Sequence, residues 1–378
     1  MESSGSSPPG GLSAADVPDI AATFDAPGPF VTVYLATEPV VEQAAQQSEL
    51  RWKTLRKQLE ASGAPDGALE AIDPLVPDAH HEGRTLAVVA NATGALLVRH
   101  EPEPPARDLG RLASLPSVGP LLEWEQAALT HLVVLADRTG ADIVVSTRGD
   151  DGEVQTVELT SSDDPHLRKS QPGGWSQRRY QNRAENLWDH NAKAVADEVT
   201  ALVDEHGARL VIVAGDVRAL EKLREHLPER VLGLLREVDG SRAAGTSVDE
   251  LADEVVKLVS TEVAAQTVEL LRTFKQERGQ QDLAVEGTSA TLAALAAARI
   301  EVLLVHDDPD DARTAWFGPE AGMVAEQAQT LRDMGVETPE QGRLVDVAIR
   351  AAFTTGAAVR MVPSVRSVTD GLGAILRF

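Results

Sequence analysis

Apolar residues recur along this chain with two different periods. The run Phe30-Val31-Thr32-Val33-Tyr34-Leu35 alternates between prolines and predicts a strand. Leu50, Leu55 and Leu59, with Trp52 nearby, predict an amphipathic helix from about 42 to 61. Thr85–Ala90 and Ala95–Val98 read as two strands around the turn-like Asn91-Ala92-Thr93-Gly94. A proline-rich stretch follows, with Pro102, Pro104, Pro105, Pro116 and Pro120, and reads as a linker region closed by Leu121, Leu122 and Trp124.

The pattern then resumes. His131–Ala136 and Ala141–Ser146 flank Asp137-Arg138-Thr139-Gly140, the signature of a hairpin. Val154–Leu159 is a further strand, and Leu187, Val195, Val199 and Leu202 mark a helix from about 184 to 205 that stops at Gly207. Leu210–Ala214 is apolar throughout, as in a strand buried on both faces. Ser247 and Glu250 have capping-box spacing at the head of a long helix reaching about Gln276. Beyond it come Ala284–Gly287, an alanine-rich helix at 289–298, a strand at 300–306, a helix near 343–354 and a strand at 358–362. Helices alternating with strands imply an α/β (α+β) chain. It is read as a Ser/Gly/Pro-rich disordered tail at 1–20, an α+β domain at 21–127, a middle domain at 128–258 and an α/β/α domain at 259–378.

Composition narrows the function classes. The chain has no cysteine, so disulfides, thiolate metal sites and thiol nucleophiles are excluded. No run of 18 apolar residues is present and MESSGSSPPGGLS lacks a signal-peptide pattern, so a cytoplasmic protein is expected, without a membrane partner. A net charge of -24 argues against broad coating of nucleic acid. The nine histidines show no zinc-site spacing, and His80-His81 fall in a polar stretch. Asp307–Asp311 reads as a solvated acidic loop, and Gly215-Asp216 as a strand-to-helix connection without the glycine pattern of a phosphate loop.

Against that acidic background one segment stands apart. Arg168–Arg183, RKSQPGGWSQRRYQNR, holds Arg168, Lys169, Arg178, Arg179 and Arg183 and no acid. Gly173 and Gly174 allow close backbone approach to a ligand. Guanidinium groups pair with phosphates, and Trp175 and Tyr180 can stack on unpaired bases. The segment is expected as a loop between a strand and a helix, where α/β proteins commonly carry function. The competing reading is a solvated surface loop.

Three features, in this order, resemble the archaeal and eukaryotic class-I release factor and Pelota superfamily, in particular its bacterial branch of Balon-like ribosome hibernation factors. Gly173-Gly174-Trp175-Ser176-Gln177-Arg178-Arg179, before a helix carrying His190-Asn191, is similar to the release-factor Gly-Gly-Gln loop and the basic stretch that follows it. Ala284-Val285-Glu286-Gly287 precedes an Ala/Leu helix and the strand Val302–Val305, as in that family's last domain. The terminal Gly373-Ala374-Ile375-Leu376-Arg377-Phe378 resembles the family's Gly-x-Ile-Leu-Arg-Tyr ending.

The resemblance implies a three-domain architecture with a mixed-sheet middle domain and a C-terminal α/β/α sandwich. It implies binding in the ribosomal A site, with Arg168, Lys169, Gly173, Gly174, Trp175, Gln177, Arg178, Arg179, Tyr180 and Arg183 facing ribosomal RNA or a tRNA acceptor end near the peptidyl-transferase centre. An elongation-factor GTPase such as EF-Tu is the implied protein partner, no cofactor or metal is expected, and the implied role is hibernation or protection of stalled ribosomes. Trp175 stands where the peptide-releasing glutamine would be, and no Asn-Ile-Lys-Ser motif occurs, so codon-specific termination is not expected. Gly174–Gln177 does match the Gly-x-x-Gln loop of the family's tRNA-cleaving branch. On that alternative Gln177 is catalytic, in a peptidyl-tRNA hydrolase or a tRNA 3′-end-cleaving rescue factor; otherwise it only contacts RNA.

Overall fold

The computed structural model describes residues 10–37, 44–137, 140–146, 155–160, 176–239, 248–280, 283–363 and 365–378. The chain divides into two units, Met1–Gln126 with Ala265–Phe378, and Ala127–Ala264. The expected amino-terminal and carboxy-terminal domains thus form one unit.

Residues 10–20, expected to belong to a disordered tail, are ordered. Leu12 exchanges both backbone hydrogen bonds with Val359 at 2.8 Å, and Gly11 sits where a Cβ would lie 2.8 Å from that of Ala358. Helix α1 (Pro18–Ala22) starts on a proline, whose fixed φ suits a first turn, and buries Ile20. Leu12, Val17 and Ile20 supply apolar anchors that the surrounding Ser, Gly and Pro composition obscures.

Strand β1 (Phe30–Ala36) is central in the sheet β3-β2-β1-β4, with helices α2 (Ala44–Ala61) and α3 (Asp66–Ile72), strands β2 (Thr85–Asn91), β3 (Gly94–Glu101) and β4 (Leu109–Ala113), and helix α4 (Gly119–Ala127) following in order. Every pairing in it is antiparallel. β1 does not alternate between core and solvent, because both of its faces are buried. Val31, Val33 and Leu35 pack with Trp52, Leu55, Leu59, Leu69 and Ile72 of α2 and α3. Phe30 and Tyr34 face the other way, into a core shared with Leu303, Leu344, Val347, Ile349 and Leu372. That shared core joins the amino-terminal sheet and the carboxy-terminal sandwich in one unit. Strand β4 lies in the stretch expected as a linker, where its pairing with β1 supplies hydrogen bonds that no local pattern announces.

The unit Ala127–Ala264 carries strands β5 (His131–Ala136), β6 (Gly140–Ser146) and β7 (Gln155–Thr160), helix α5 (Ser176–His206), strand β8 (Leu210–Gly215), helices α6 (Val217–His226) and α7 (Glu229–Leu232), strand β9 (Leu235–Glu237) and the start of helix α8 (Val248–Gln280). Its sheet runs β7-β6-β5-β8-β9, antiparallel on the β6 side and parallel on the β8 side, hence mixed. One face packs on Val195, Val199, Leu202 and Val203 of α5 and Leu220 and Leu223 of α6. The other packs on Leu251 and Val255 of α8. The cap assigned to Ser247 lies outside the described residues.

The carboxy-terminal part comprises β10 (Ala284–Glu286), α9 (Thr288–Ala296), β11 (Ile300–Val305), β12 (Thr314–Phe317), β13 (Val324–Ala325), α10 (Ala328–Asp333), β14 (Glu340–Arg343), α11 (Leu344–Thr354), β15 (Ala358–Met361) and β16 (Leu372–Leu376). β10-β16-β11-β15 form a sheet in which only β11 and β15 run parallel, and β13-β12-β14 form a small antiparallel sheet beside it. Residues of α9 and α11 cover one face of the larger sheet, and Leu270 and Phe274 of α8 cover the other, an α/β/α sandwich as expected. Helix α11 is buried all round from Leu344 to Phe353, and that burial includes Asp346 and Arg350. Among the described residues no helix is long and apolar enough to cross a membrane.

Candidate nucleic-acid interface

The second half of the basic segment, from Ser176, lies in the first turns of α5. Local contacts fix the elements around α5. Asp137 closes the β5–β6 hairpin, accepting a hydrogen bond from the Gly140 amide at 3.0 Å while its own amide donates to the Gly140 carbonyl. Gly215 ends β8 at φ 152°, where a Cβ would lie 1.9 Å from the Ala136 carbonyl oxygen, so only glycine lets β8 close on β5 there. Asp216 then caps α6 by accepting from the amides of Arg218 and Ala219. Asp189 on α5 meets His226 of α6 at 3.1 Å and Lys222 at 3.8 Å, which ties the two helices together six residues beyond Arg183.

Arg168, Lys169, Gly173, Gly174 and Trp175 lie outside the described residues. Gln177, Arg178, Arg179, Tyr180 and Arg183 are placed by their backbone in the first turns of α5, while their side chains lie outside the description. This corrects the expected helix start near residue 184: α5 begins at Ser176 and takes in half of the presumed loop. The early start has an electrostatic consequence. The first turn of α5 holds no acidic residue, and arginines at a helix N-terminus oppose the dipole at a cost of about 0.3–1 kcal/mol each. An anion at that end would offset both the dipole and the guanidinium charges.

The remaining polar candidates resolve differently. His80 and His81 pack ring on ring at 3.8 Å, with His80 Nδ1 2.9 Å from the Pro77 carbonyl oxygen. Among the described residues no group of His, Asp and Glu is arranged to hold a metal ion. Asp307–Asp311, expected as a solvated loop, is exposed at residues 308–310 and is also threaded with arginines. Asp307 pairs with Arg343, and the two side chains are 7% and 9% exposed. Asp310 accepts from Arg107 at 2.6 Å, Asp311 pairs with Arg313 at 2.6 Å, and the Pro309 carbonyl accepts from Arg111 at 2.9 Å.

Behind that loop lies a buried cluster that sequence reasoning missed. Asp346, wholly buried in α11, accepts from Ser117 Oγ at 2.9 Å and lies 3.6 Å from Arg343 Nη1. Ser117 Oγ accepts from Arg111 Nη1 at 3.2 Å, and its carbonyl accepts from the Tyr34 hydroxyl at 2.7 Å. Burial pushes the Asp346 carboxyl up to about 7, against the pull of Arg343. Burial likewise raises the Tyr34 hydroxyl well above its usual range, with Asp307 and Asp346 adding to it. The available signal was a lone acid and a lone arginine inside an otherwise apolar helix pattern.

Residues 130–280 match the family model described as Bacterial archaeo-eukaryotic release factor family 2. An uncharacterized protein of Mycobacterium tuberculosis is 27% identical over 362 residues, which span 93% of this chain and 94% of that protein. Among solved structures the chain is similar to the Pelota of Archaeoglobus fulgidus, at 15% identity over 97% of this chain and 93% of that one, with a TM-score of 0.35. It is also similar to a chain in a model of ribosome-bound archaeal Pelota and ABCE1, at 13% identity over 97% and 95%, with a TM-score of 0.39.

Proposed function

We propose that this chain, a bacterial member of the release-factor and Pelota superfamily, is a ribosome-associated translation factor that presents Arg168–Arg183 to RNA near the peptidyl-transferase centre and protects stalled or hibernating ribosomes. One observation carries this reading. The family match at 130–280 encloses the stretch in which a chain of net charge -24 gathers five cations without an acid, at the head of α5.

The chemistry is positional. Arg168, Lys169, Arg178, Arg179 and Arg183 neutralise phosphates, each contact releasing counterions and steepening the salt dependence of binding by roughly 0.7–0.9 in log–log slope. Trp175 and Tyr180 supply stacking faces worth about 1–3 kcal/mol per base. Gly173 and Gly174 let the main chain approach RNA closely. The C-terminal α/β/α sandwich is assigned the docking of an elongation-factor GTPase such as EF-Tu. A cytoplasmic place of action follows from the ribosomal partner.

A second reading is favoured by the Gly174-Trp175-Ser176-Gln177 spacing alone. Gln177 would then position a water or the tRNA 3′ end for hydrolysis or cleavage. A glutamine amide donates and accepts hydrogen bonds but is no general base, so such chemistry would rest on orientation and on the substrate's own hydroxyl. Ribosomes carrying peptidyl-tRNA, incubated with the wild type and Gln177→Ala, separate the readings. Protection predicts co-sedimentation of both proteins and intact peptidyl-tRNA; Gln177-dependent peptide release or 3′-end cleavage establishes the enzyme instead. Absence of co-sedimentation removes both.

A further inference from the structure

The outer edge of β15 is closed by two groups far from it in sequence. β15 ends the sheet β10-β16-β11-β15 and pairs with β11 on its inner side. An edge strand presents a row of N–H and C=O groups to any extended chain that meets it. On β15 that row falls at every second residue, Ala357, Val359, Met361 and Pro363, while the intervening Val362 amide donates inward to Val305 at 2.7 Å. The Ala357 amide donates to the Ala352 carbonyl in α11. Val359 exchanges both backbone hydrogen bonds with Leu12. Met361 exchanges both of its own with a side chain: its amide donates to Gln126 Oε1 at 2.9 Å, and its carbonyl accepts from Gln126 Nε2 at 2.8 Å. Pro363 has no N–H to give. Every outward donor from Ala357 to Pro363 is therefore engaged or absent.

Local sequence shapes both contacts. Gly11 lies so close to Ala358 that a side chain there would hold the segment off the sheet. Immediately after Leu12, Ser13 donates to Asp16 Oδ2 from its amide at 2.8 Å and from its hydroxyl at 2.7 Å, which turns the chain away towards α1. The pairing with β15 is thus an isolated bridge and not a strand. Gln126 stands in the last turn of α4, and its amide offers the same donor and acceptor as a peptide group. The covered segment is one suited to pairing. Ala358–Val362 is buried, with no acid, no proline and a single charge on Arg360, which bonds Thr267 of α8. Short apolar segments of that kind join other strands when their edge is free. The opposite edge of the sheet, β10, is only 3 residues long, and very short edge strands resist such pairing by themselves.

We propose that Leu12 and Gln126 act together as an edge guard, closing the carboxy-terminal sheet to strand addition, and that the partner they exclude is β15 of a second copy of this chain. Two such edges are self-complementary when antiparallel, because the same groups meet across a twofold axis. With Val359 of one copy opposite Val359 of the other, each Arg360 lies opposite an Ala358, so like charges do not meet. The guard acts independently of RNA binding and needs no movement of the fold.

The purified full-length chain carrying Leu12→Ala and Gln126→Ala together tests this, by sedimentation velocity and amide-resolved hydrogen exchange at rising protein concentration. The double variant is expected to gain mass with concentration beyond the wild type. Its Val359 and Met361 amides should lose protection when dilute and regain it on association, while the inward Val362 amide stays protected throughout. A double variant with the wild-type mass at every concentration, or one that associates without restoring protection at Val359 and Met361, overturns the proposal. Should the double variant lose its circular-dichroism signature of folding, Gln126→Ala alone decides, since the Leu12 anchor is then intact. Its Met361 amide is expected to lose protection when dilute and to recover it as concentration rises. A Met361 amide as protected as in the wild type when dilute, or unprotected at every concentration, overturns the proposal.

Discussion

An ideal β-carbon on Gly119 would lie 1.9 Å from Oδ2 of Asp307. The first residue of α4 and the acid just beyond β11 thus meet with no room for a methyl group. Asp307 cannot swing away freely, because its other oxygen engages Arg343 and its side chain is almost wholly buried. Gly119→Ala is expected to destabilise the unit by about 1–3 kcal/mol, the usual range for forced overpacking. Urea unfolding followed by far-ultraviolet circular dichroism measures it. In the double variant with Asp307→Ala the clash is relieved, so the combined loss should fall short of the sum of the two single losses.

The amino-terminal segment predicts a second stability effect. Leu12 is buried and bonds the open edge of β15 through its backbone. Leu12→Ala should cost about 2–5 kcal/mol, the range for truncating a buried leucine, and should expose the amides of Ala358–Met361 to hydrogen exchange. Unchanged protection of β15 would show that the segment adds nothing to the sheet.

The pH dependence of stability follows from Asp346. Its carboxyl is raised from an ordinary 3.8 to about 7 in the fold, so the neutral form is the one that folding favours. Its contribution is fully present below about pH 4, where both states are protonated, and is lost as pH rises through 7. The loss has an upper limit of about 4 kcal/mol. Thermal unfolding from pH 4.5 to 8.5 should show the wild type losing Tm relative to Asp346→Asn, with the difference largest above pH 7. A Tm difference independent of pH would contradict the assignment.

Much of the architecture is legible in local pattern. β2, the β5–β6 hairpin, β8, β11 and the amphipathic stripe of α5 all appear where periodicity places them, because each buries a face that its own residues define. The rest depends on partners distant in sequence. β4 has the short sequence LGRLA between prolines and becomes a strand only by pairing with β1. β1 reads as alternating, yet the carboxy-terminal helices cover its second face. Ser117 and Asp346 stand 229 residues apart, so no window of sequence could bring them together. In the candidate interface the composition of Arg168–Arg183 is fully legible; the start of α5 at Ser176 is not, because Gln, Arg and Tyr there carry no helix-start signal.

The central claim is that Arg168–Arg183 binds ribosomal RNA, and the affinity of the purified chain for ribosomes as a function of salt tests it most directly. Arg178→Ala with Arg179→Ala should weaken binding at least about tenfold at low salt and lower the log–log salt slope by roughly 1.4–1.8, while the uncharged change Gln177→Ala leaves the slope unchanged. An affinity and salt slope untouched by removing the two arginines would contradict it.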